Sequence, residues 1–354
     1  MDDPILSRIA RHAGIVDLVE ALSHRMPPTD LQSLLLAVAR QRSASRTPGD
    51  LLRQYARDRT VTPAVADGRV LARMATLALD CAPEFEAIEL SPVEPLGLNT
   101  VLGQIDQNNV LATVRGSEVV GDPTSTLALE AAVRRRDGSP RVRLCTCCRV
   151  LRLQPFDAPG LLRHFRLFAL VTAGRSEPDN GFEVSAAREH VEAHLRVIAA
   201  ARTLGRELGG VVVRVSDTQL RAALLSRGVE PRPDVDRPAD AMPPGDAEAL
   251  TSRLRRLERA IDALAPVMRE FADVRVLVDL SRTHAVAYYQ GLQISIDVEV
   301  DGASAEVADG GSVAWAGRLL SNRREQLFTS GIGLERLLDG LDTPIPGDVE
   351  PGRC

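Results

Sequence analysis

Thr329-Ser-Gly-Ile-Gly-Leu-Glu-Arg-Leu-Leu338 is the stretch on which the fold turns. Small residues end a strand there, and an amphipathic helix follows with Arg336 in its first turn. Gly331 and Gly333 let a polyanion approach the backbone, while the helix N-terminus and Arg336 supply positive potential. Many strand-to-helix junctions share this G-x-G pattern, so specificity has to come from elsewhere in the chain. A second arginine, Arg152, supplies it. It sits on an apolar strand in Val150-Leu-Arg152-Leu-Gln-Pro-Phe-Asp-Ala-Pro-Gly-Leu-Leu-Arg163-His-Phe165-Arg, which reads strand, Pro/Gly-rich loop, strand. An arginine among apolar neighbours is costly unless it meets an anion. The loop returns Arg163 to its side, and Phe165 offers a flat face for a base. Two readings stay open on these residues alone. Arg152, Arg163, Phe165 and Arg336 form a nucleotide pocket, or Arg152 pairs with a core carboxylate.

The 354 residues suffice for one large domain plus a small one. A hydrophobic share of 44% against 26% charged is that of a globular chain. No run nears the roughly 18 apolar residues of a membrane span. Met-Asp-Asp-Pro at the start has neither the basic residues nor the apolar run of a signal peptide, so a cytoplasmic location is expected. All 43 basic residues are arginine. Without lysine there is no Walker-type phosphate loop, Schiff base or lysine adenylate; phosphate is left to arginine, backbone amides or a metal. A net charge of −5 leaves no global basic footprint for nucleic acid. Five cysteines do not suggest a disulfide framework.

Residues 1–80 read as a helical N-terminal module. Ile5, Ile9, Ile15, Val19 and Leu22 recur near helical spacing, and Thr29 or Asp30 caps a second helix after two prolines. Residues 51–55 and 69–79 continue the pattern. From Phe85 strand-like runs dominate. A hairpin is expected around Arg115-Gly116, a helix over residues 125–136, and β-rich runs over 142–153 and 164–172. A long helix over 183–208, a buried strand over 211–215 and a short helix over 217–227 follow. The Pro- and Asp-rich residues 229–248 read as a mobile insertion. A charged helix over 247–271 and further strands lead to the final junction. Residues 81–342 are thus expected to form an α+β domain with a largely antiparallel sheet, followed by a tail at 343–354.

The strand-arginine-loop-Arg-x-Phe segment resembles motif 2 of the class II aminoacyl-tRNA synthetases. Gly331-Ile-Gly-Leu-Glu-Arg336 resembles their motif 3 in its histidyl-tRNA synthetase form. Ala287-Tyr-Tyr-Gln-Gly291 is similar to the segment preceding motif 3 in that family, and Asp122-Pro-Thr-Ser-Thr126 to the amino-acid-side loop before motif 2. The resemblance implies a six- or seven-stranded antiparallel sheet flanked by helices, and a homodimer. It implies ATP with Mg²⁺, held bent, with Arg152 on the α-phosphate and reacting carboxylate and Arg336 on the γ-phosphate. Phe165 would stack on adenine, with Gln154, Arg163 and Gly333 completing the nucleotide side. No protein-held metal is expected.

The departures bear on the substrate. Gln154 replaces the acid of the motif 2 Arg-x-Glu. Leu167 and Val171 stand where histidyl enzymes place a Gln and a Glu, Thr124 where another acid would be, and His284 where an arginine would sit. With Tyr288 and Tyr289 these residues outline a substrate pocket that has lost its acids, and it should not bind histidine in the family's manner. Sixteen residues follow Leu338. No counterpart of the C-terminal anticodon-binding domain is therefore expected, nor ordinary tRNA charging.

Other motifs read more plainly. Cys145-Thr-Cys147-Cys148 suggests small buried thiols on a strand, with zinc as the alternative. His190 and His194 share a helix face expected to be solvated; Arg134-Arg-Arg136 and the arginines of residues 253–259 are expected on solvated helix faces with carboxylate partners. The function these features suggest is an ATP-dependent, carboxylate-adenylating ligase, a histidyl-tRNA synthetase paralogue that passes its acyl group to an amine or carrier. The alternative is a non-catalytic regulatory or interaction subunit resembling that of ATP phosphoribosyltransferase.

Overall fold

The computed structural model describes residues 3–15, 17–154, 163–243, 245–246, 250–271, 273–282, 289–300 and 302–338. The strands are β1 (Glu86–Ala87), β2 (Val93–Pro95), β3 (Ser117–Val119), β4 (Arg141–Leu151) and β5 (His164–Arg175) in the first half. The second half adds β6 (Leu208–Asp217), β7 (Val274–Val278), β8 (Leu292–Val300), β9 (Ala303–Val313) and β10 (Glu325–Gly333). Eight of them make one sheet in the order β1-β4-β5-β10-β9-β8-β6-β7, and β2 pairs with β3 apart from it. All neighbours in the large sheet are antiparallel except β1 with β4 and β6 with β7. The α+β expectation holds, with eight strands in place of six or seven.

The central strands read as nearly unbroken apolar runs because both faces are covered. On β5, Phe168 and Leu170 point to one side, into a cluster formed with the helices Gly68–Asp80, Gly181–Thr203 and Thr251–Glu270. Ala169, Val171 and Ala173 point to the other, where Leu127, Ala128 and Ala131 of the Pro123–Arg136 helix pack on them. That alternation is the period of two a pleated strand imposes. Asp122 starts the latter helix, its carboxylate accepting from Thr124 N at 3.0 Å.

The helices Pro4–Ala13, Pro28–Ala44 and Pro48–Arg57 bury no residue, whereas Leu71, Met74, Ala75 and Ala78 of Gly68–Asp80 enter the main core. The last helix of the expected N-terminal module therefore packs with the sheet. The stretch expected to be a mobile insertion is tied down as well. Val235 and Val278 exchange backbone hydrogen bonds of 3.0 and 2.8 Å on the outer edge of β7, and Ala241 and Met242 are buried. Arg256, expected on a solvated face, is buried against Asp217 at 2.5 Å.

His190 and His194 overturn their expectation too. Both are fully buried, because the helix lays this face on β5 and β10 and not toward water. Ser330 Oγ lies 2.7 Å from His190 Nδ1 and 2.7 Å from His194 Nε2, and Thr172 Oγ1 lies 3.0 Å from His190 Nε2. His194 Nδ1 has no partner among the described residues, which favours its ring hydrogen on Nε2, donating to Ser330 Oγ; the serine hydrogen then goes to His190 Nδ1 and both rings are neutral. Burial pushes the His194 pKa down to about 3 and drives His190 well below the ordinary value, with the neighbouring His194 adding to the effect.

Strands β9 and β10 approach so closely at Gly310 that a Cβ there would collide with Ser330 and come within 2.6 Å of Thr329 O. Cys145 and Cys147 are buried and Cys148 is half-buried, matching the thiol expectation.

Candidate functional site

Two segments distant in sequence end at one cleft. Arg152 lies just past β4, and its N–H donates to Arg163 O at 2.8 Å, so the strands on either side of the intervening loop do close beside it. The Arg152 guanidinium stacks over the Phe165 ring, 5.3 Å from its centroid. Its Nε donates to Gly121 O at 2.9 Å, and Asp122 Oδ2 stands 3.8 Å from its NH2. Arg152 thus meets both an aromatic face and a nearby carboxylate. Arg163 turns back to donate to Leu153 O at 2.8 Å, and Gln154 is half-buried beside it.

Arg336 reaches the same cleft from the one-turn helix Leu334–Leu338 after β10. So short a helix adds little dipole, and the positive potential rests on the guanidinium itself. Its NH1 donates to Glu306 O at 2.5 Å. Burial lowers its pKa from the ordinary guanidinium value; Glu306 and Asp309 oppose this, and the nearby Arg152 adds to it. Leu167 packs over Gly331, where a Cβ would meet it at 3.3 Å. Backbone approach at that glycine is consequently limited. Gly333 faces only the Arg336 methylenes, at 3.8 Å from a built Cβ.

Three charged residues that the sequence reading passed over complete the site. Arg282, just beyond β7, forks onto Glu306, with one N–H···O contact of 3.0 Å. Burial works against the Arg282 charge, but Glu306 outweighs it and the pKa rises. Asp309 accepts from Tyr289 OH at 3.1 Å; burial first, then the Glu306 charge, raises its pKa, and Asp122 adds to the rise. Glu306 and Asp309 lie three apart on β9 and would face opposite sides of a regular strand. A bulge in the β8–β9 ladder puts Ile296 opposite Ala308 but Asp297 opposite Glu306, and the extra residue restores both acids to one side.

Of the remaining expected residues, Thr124 is buried, its hydroxyl donating to Asp122 Oδ1 at 2.8 Å, so the acid at this loop is Asp122. Val171 and Tyr289 are buried in the apolar cluster below the Pro123–Arg136 helix. His284 and Tyr288 lie outside the described residues. Behind Asp122, Glu94 and Glu118 share Asn99, whose Nδ2 meets them at 2.5 and 2.9 Å, and Thr126 donates to Glu94. Burial pushes Glu94 up to about 7. This network fixes the loops that carry Gly121 and Asp122.

The site thus interleaves both signs of charge: Arg152, Arg282 and Arg336 lie among Asp122, Glu306 and Asp309, with the Tyr289 hydroxyl on Asp309. The mostly antiparallel sheet flanked by helices is the fold of class II aminoacyl-tRNA synthetase-like domains. Histidyl-tRNA synthetases are among the solved structures it resembles. An ATP phosphoribosyltransferase regulatory subunit/histidyl-tRNA synthetase from Bacillus halodurans superposes with a TM-score of 0.56 at 14% identity, covering 80% of this chain and 82% of that one. A histidyl-tRNA synthetase from Nostoc gives 0.54 at 14%, covering 79% and 73%. A histidine–tRNA ligase subunit from Alicyclobacillus acidocaldarius gives 0.52 at 17%, covering 78% and 95%. No protein-family model and no curated protein matches the sequence. Among the described residues no helix is long and apolar enough to cross a membrane.

Proposed function

We propose that the chain binds ATP in this cleft and adenylates a small amino-bearing carboxylic acid, then passes the acyl group to an amine or carrier acceptor. The observation that carries the reading is the convergence of Arg152, stacked on Phe165, with a half-buried Arg336 close enough to feel its charge. Arg152 and Arg336 would neutralise the α- and γ-phosphates, and adenine would take the Phe165 face that Arg152 leaves open. Substrate carboxylate oxygen attacks the α-phosphorus in line, and positive charge already fixed in place stabilises the charge that develops. The carboxylates Asp122 and Asp309 suit an ammonium on the substrate, so the acids missing from Thr124, Leu167 and Val171 are supplied from other positions. No group of three or more His, Cys, Asp or Glu side chains among the described residues is arranged to hold a metal. Mg²⁺ would therefore arrive on the nucleotide phosphates, supplying further charge neutralisation.

A second reading has its own observation. Arg336 is bonded to Glu306 O, Arg152 to Gly121 O, and Arg282 to the Glu306 carboxylate, so the cations already have internal partners. That is the state expected of a regulatory or interaction subunit whose synthetase site survives as structure. Homodimerisation, and docking onto a partner enzyme, are compatible with either reading. Titration calorimetry with ATP-Mg²⁺, using Arg336→Ala as control, separates them. Saturable binding lost in the variant, together with amino-acid-dependent ATP–pyrophosphate exchange, supports the ligase. Absence of both leaves the subunit reading.

A further inference from the structure

A turn of the helical N-terminal residues reaches the arginine cleft. Asp58 ends the Pro48–Arg57 helix, its N–H donating to Gln54 O at 2.9 Å, and its own carbonyl takes the Val61 and Thr62 amides at 3.0 and 3.3 Å. Its carboxylate accepts from Thr60 N at 3.0 Å, so residues 58–62 are folded back by both backbone and side chain. The turn presents Thr62 O to the start of β5, where His164 Nε2 lies 2.6 Å from it. A carbonyl only accepts, so the imidazole hydrogen is on Nε2, and Nδ1 is left to accept from Arg149 NH1 at 2.9 Å. The Thr60 hydroxyl and amide hold the Asp58 carboxyl below its ordinary value, and the charge of Arg163 adds to this, which sets that arginine near the same turn.

His164 stands between the two halves of the cleft. Its neighbour Arg163 accepts the Arg152 amide on its carbonyl at 2.8 Å. On the other side Arg149, which also donates to His164 O at 3.3 Å, extends NH2 to Glu335 Oε1 at 3.0 Å. Glu335 is buried, and its second oxygen accepts the Arg166 amide at 2.7 Å. One carboxylate therefore fastens the helix Leu334–Leu338 to β5, a single residue before Arg336. A partly exposed arginine is a weak partner when its side chain is free to leave for water. Here the imidazole, itself held by Thr62 O, fixes one guanidinium nitrogen while Glu335 takes the other. The run Thr62–His164–Arg149–Glu335 is thus an unbroken line of hydrogen bonds from the helical residues to the backbone that carries Arg152 and Arg336.

We propose that residues 58–62 are a positioning element for the arginine cleft, holding Arg152 and Arg336 in place through His164, Arg149 and Glu335, with His164 as the positioning residue at the junction. The proposal rests on the nucleotide reading for its ligand alone. Two amides at position 164 test it in the full chain. Glutamine reaches as far as Nε2 and still donates to Thr62 O, whereas asparagine, of the same chemistry but one carbon shorter, does not. The readouts are hydrogen exchange at the Arg152 and Arg166 amides without ligand, and titration calorimetry with ATP-Mg²⁺. In His164→Asn both amides should exchange faster and ATP affinity should fall, each about three- to tenfold, while His164→Gln stays within about twofold of wild type. Both variants should melt with the wild type, since residue 164 is only half-buried. Rescue by the longer amide alone is a result that a merely space-filling role for His164 does not give. The proposal is overturned if exchange at Arg166 is the same in His164→Asn and wild type, if the two amides behave alike, or if ATP binds to His164→Asn as it does to wild type. If the wild type itself binds no ATP, the nucleotide reading fails, and the exchange comparison alone decides whether the turn holds the arginines.

Discussion

Replacing His194 by glutamine should cost stability at neutral pH and cost much less in mild acid. In the wild type the ring is fully buried, donates to Ser330, and has its pKa pushed down to about 3 from an ordinary 6.5. Above pH 6.5 it is neutral in both folded and unfolded chains, and glutamine loses only packing and the serine bond, about 1–3 kcal/mol. Below 6.5 the unfolded chain takes up a proton at this residue and the folded chain does not. Wild-type stability then falls by about 1.36 kcal/mol per pH unit for this residue, continuing down to the folded pKa. Between pH 6.5 and 5 the wild type loses about 2 kcal/mol that the glutamine variant keeps. The total slope is not the diagnostic. Glu94, pushed up to about 7, takes its proton in the folded state first and pulls the other way as pH falls. Urea unfolding of both proteins at pH 7.5 and 5.0 isolates the histidine as a difference. A glutamine penalty that is the same at the two pH values would refute the assignment of His194 as a buried neutral ring.

Two further outcomes follow from the packing. Gly310→Ala should destabilise by about 1–3 kcal/mol or more, because its methyl would force β9 off Ser330 and Thr329; thermal unfolding checks this, and a wild-type melt would count against that close approach. The Cys145, Cys147 and Cys148 thiols, pushed up by burial to about 12, 11 and 12, should stay unreacted with a disulfide reagent at pH 8 until the chain is unfolded; rapid native labelling of all three would contradict their placement.

Much of the sheet was legible because its signals are local. The run over β4 and β5, the helix expected over residues 125–136 and the strand-to-helix turn at Arg336 depend on residues close together in the chain, and each appears close to where the local pattern placed it. What stayed hidden depends on the third dimension. The bulge that brings Glu306 and Asp309 to one face is a mismatch between two strands and leaves no mark on β9 alone. His190 and His194 at helical spacing beside glutamates read as a wet face, and only the sheet laid against that helix makes them core. Asp122, two residues before Thr124, went unweighed as an acid because its approach to Arg152 shows only once the strands are folded together.

The backbone exchange between Val235 and Val278 reaches beyond local packing. An outermost strand with free amides and carbonyls is a template on which another chain can add a strand and begin open-ended growth. At one margin of this sheet the Pro- and Asp-rich stretch already holds Val278, and at the other β1 is only two residues long. At Val278 a neighbour already takes the hydrogen bonds, and β1 offers too few, so at these two places strand addition finds little purchase.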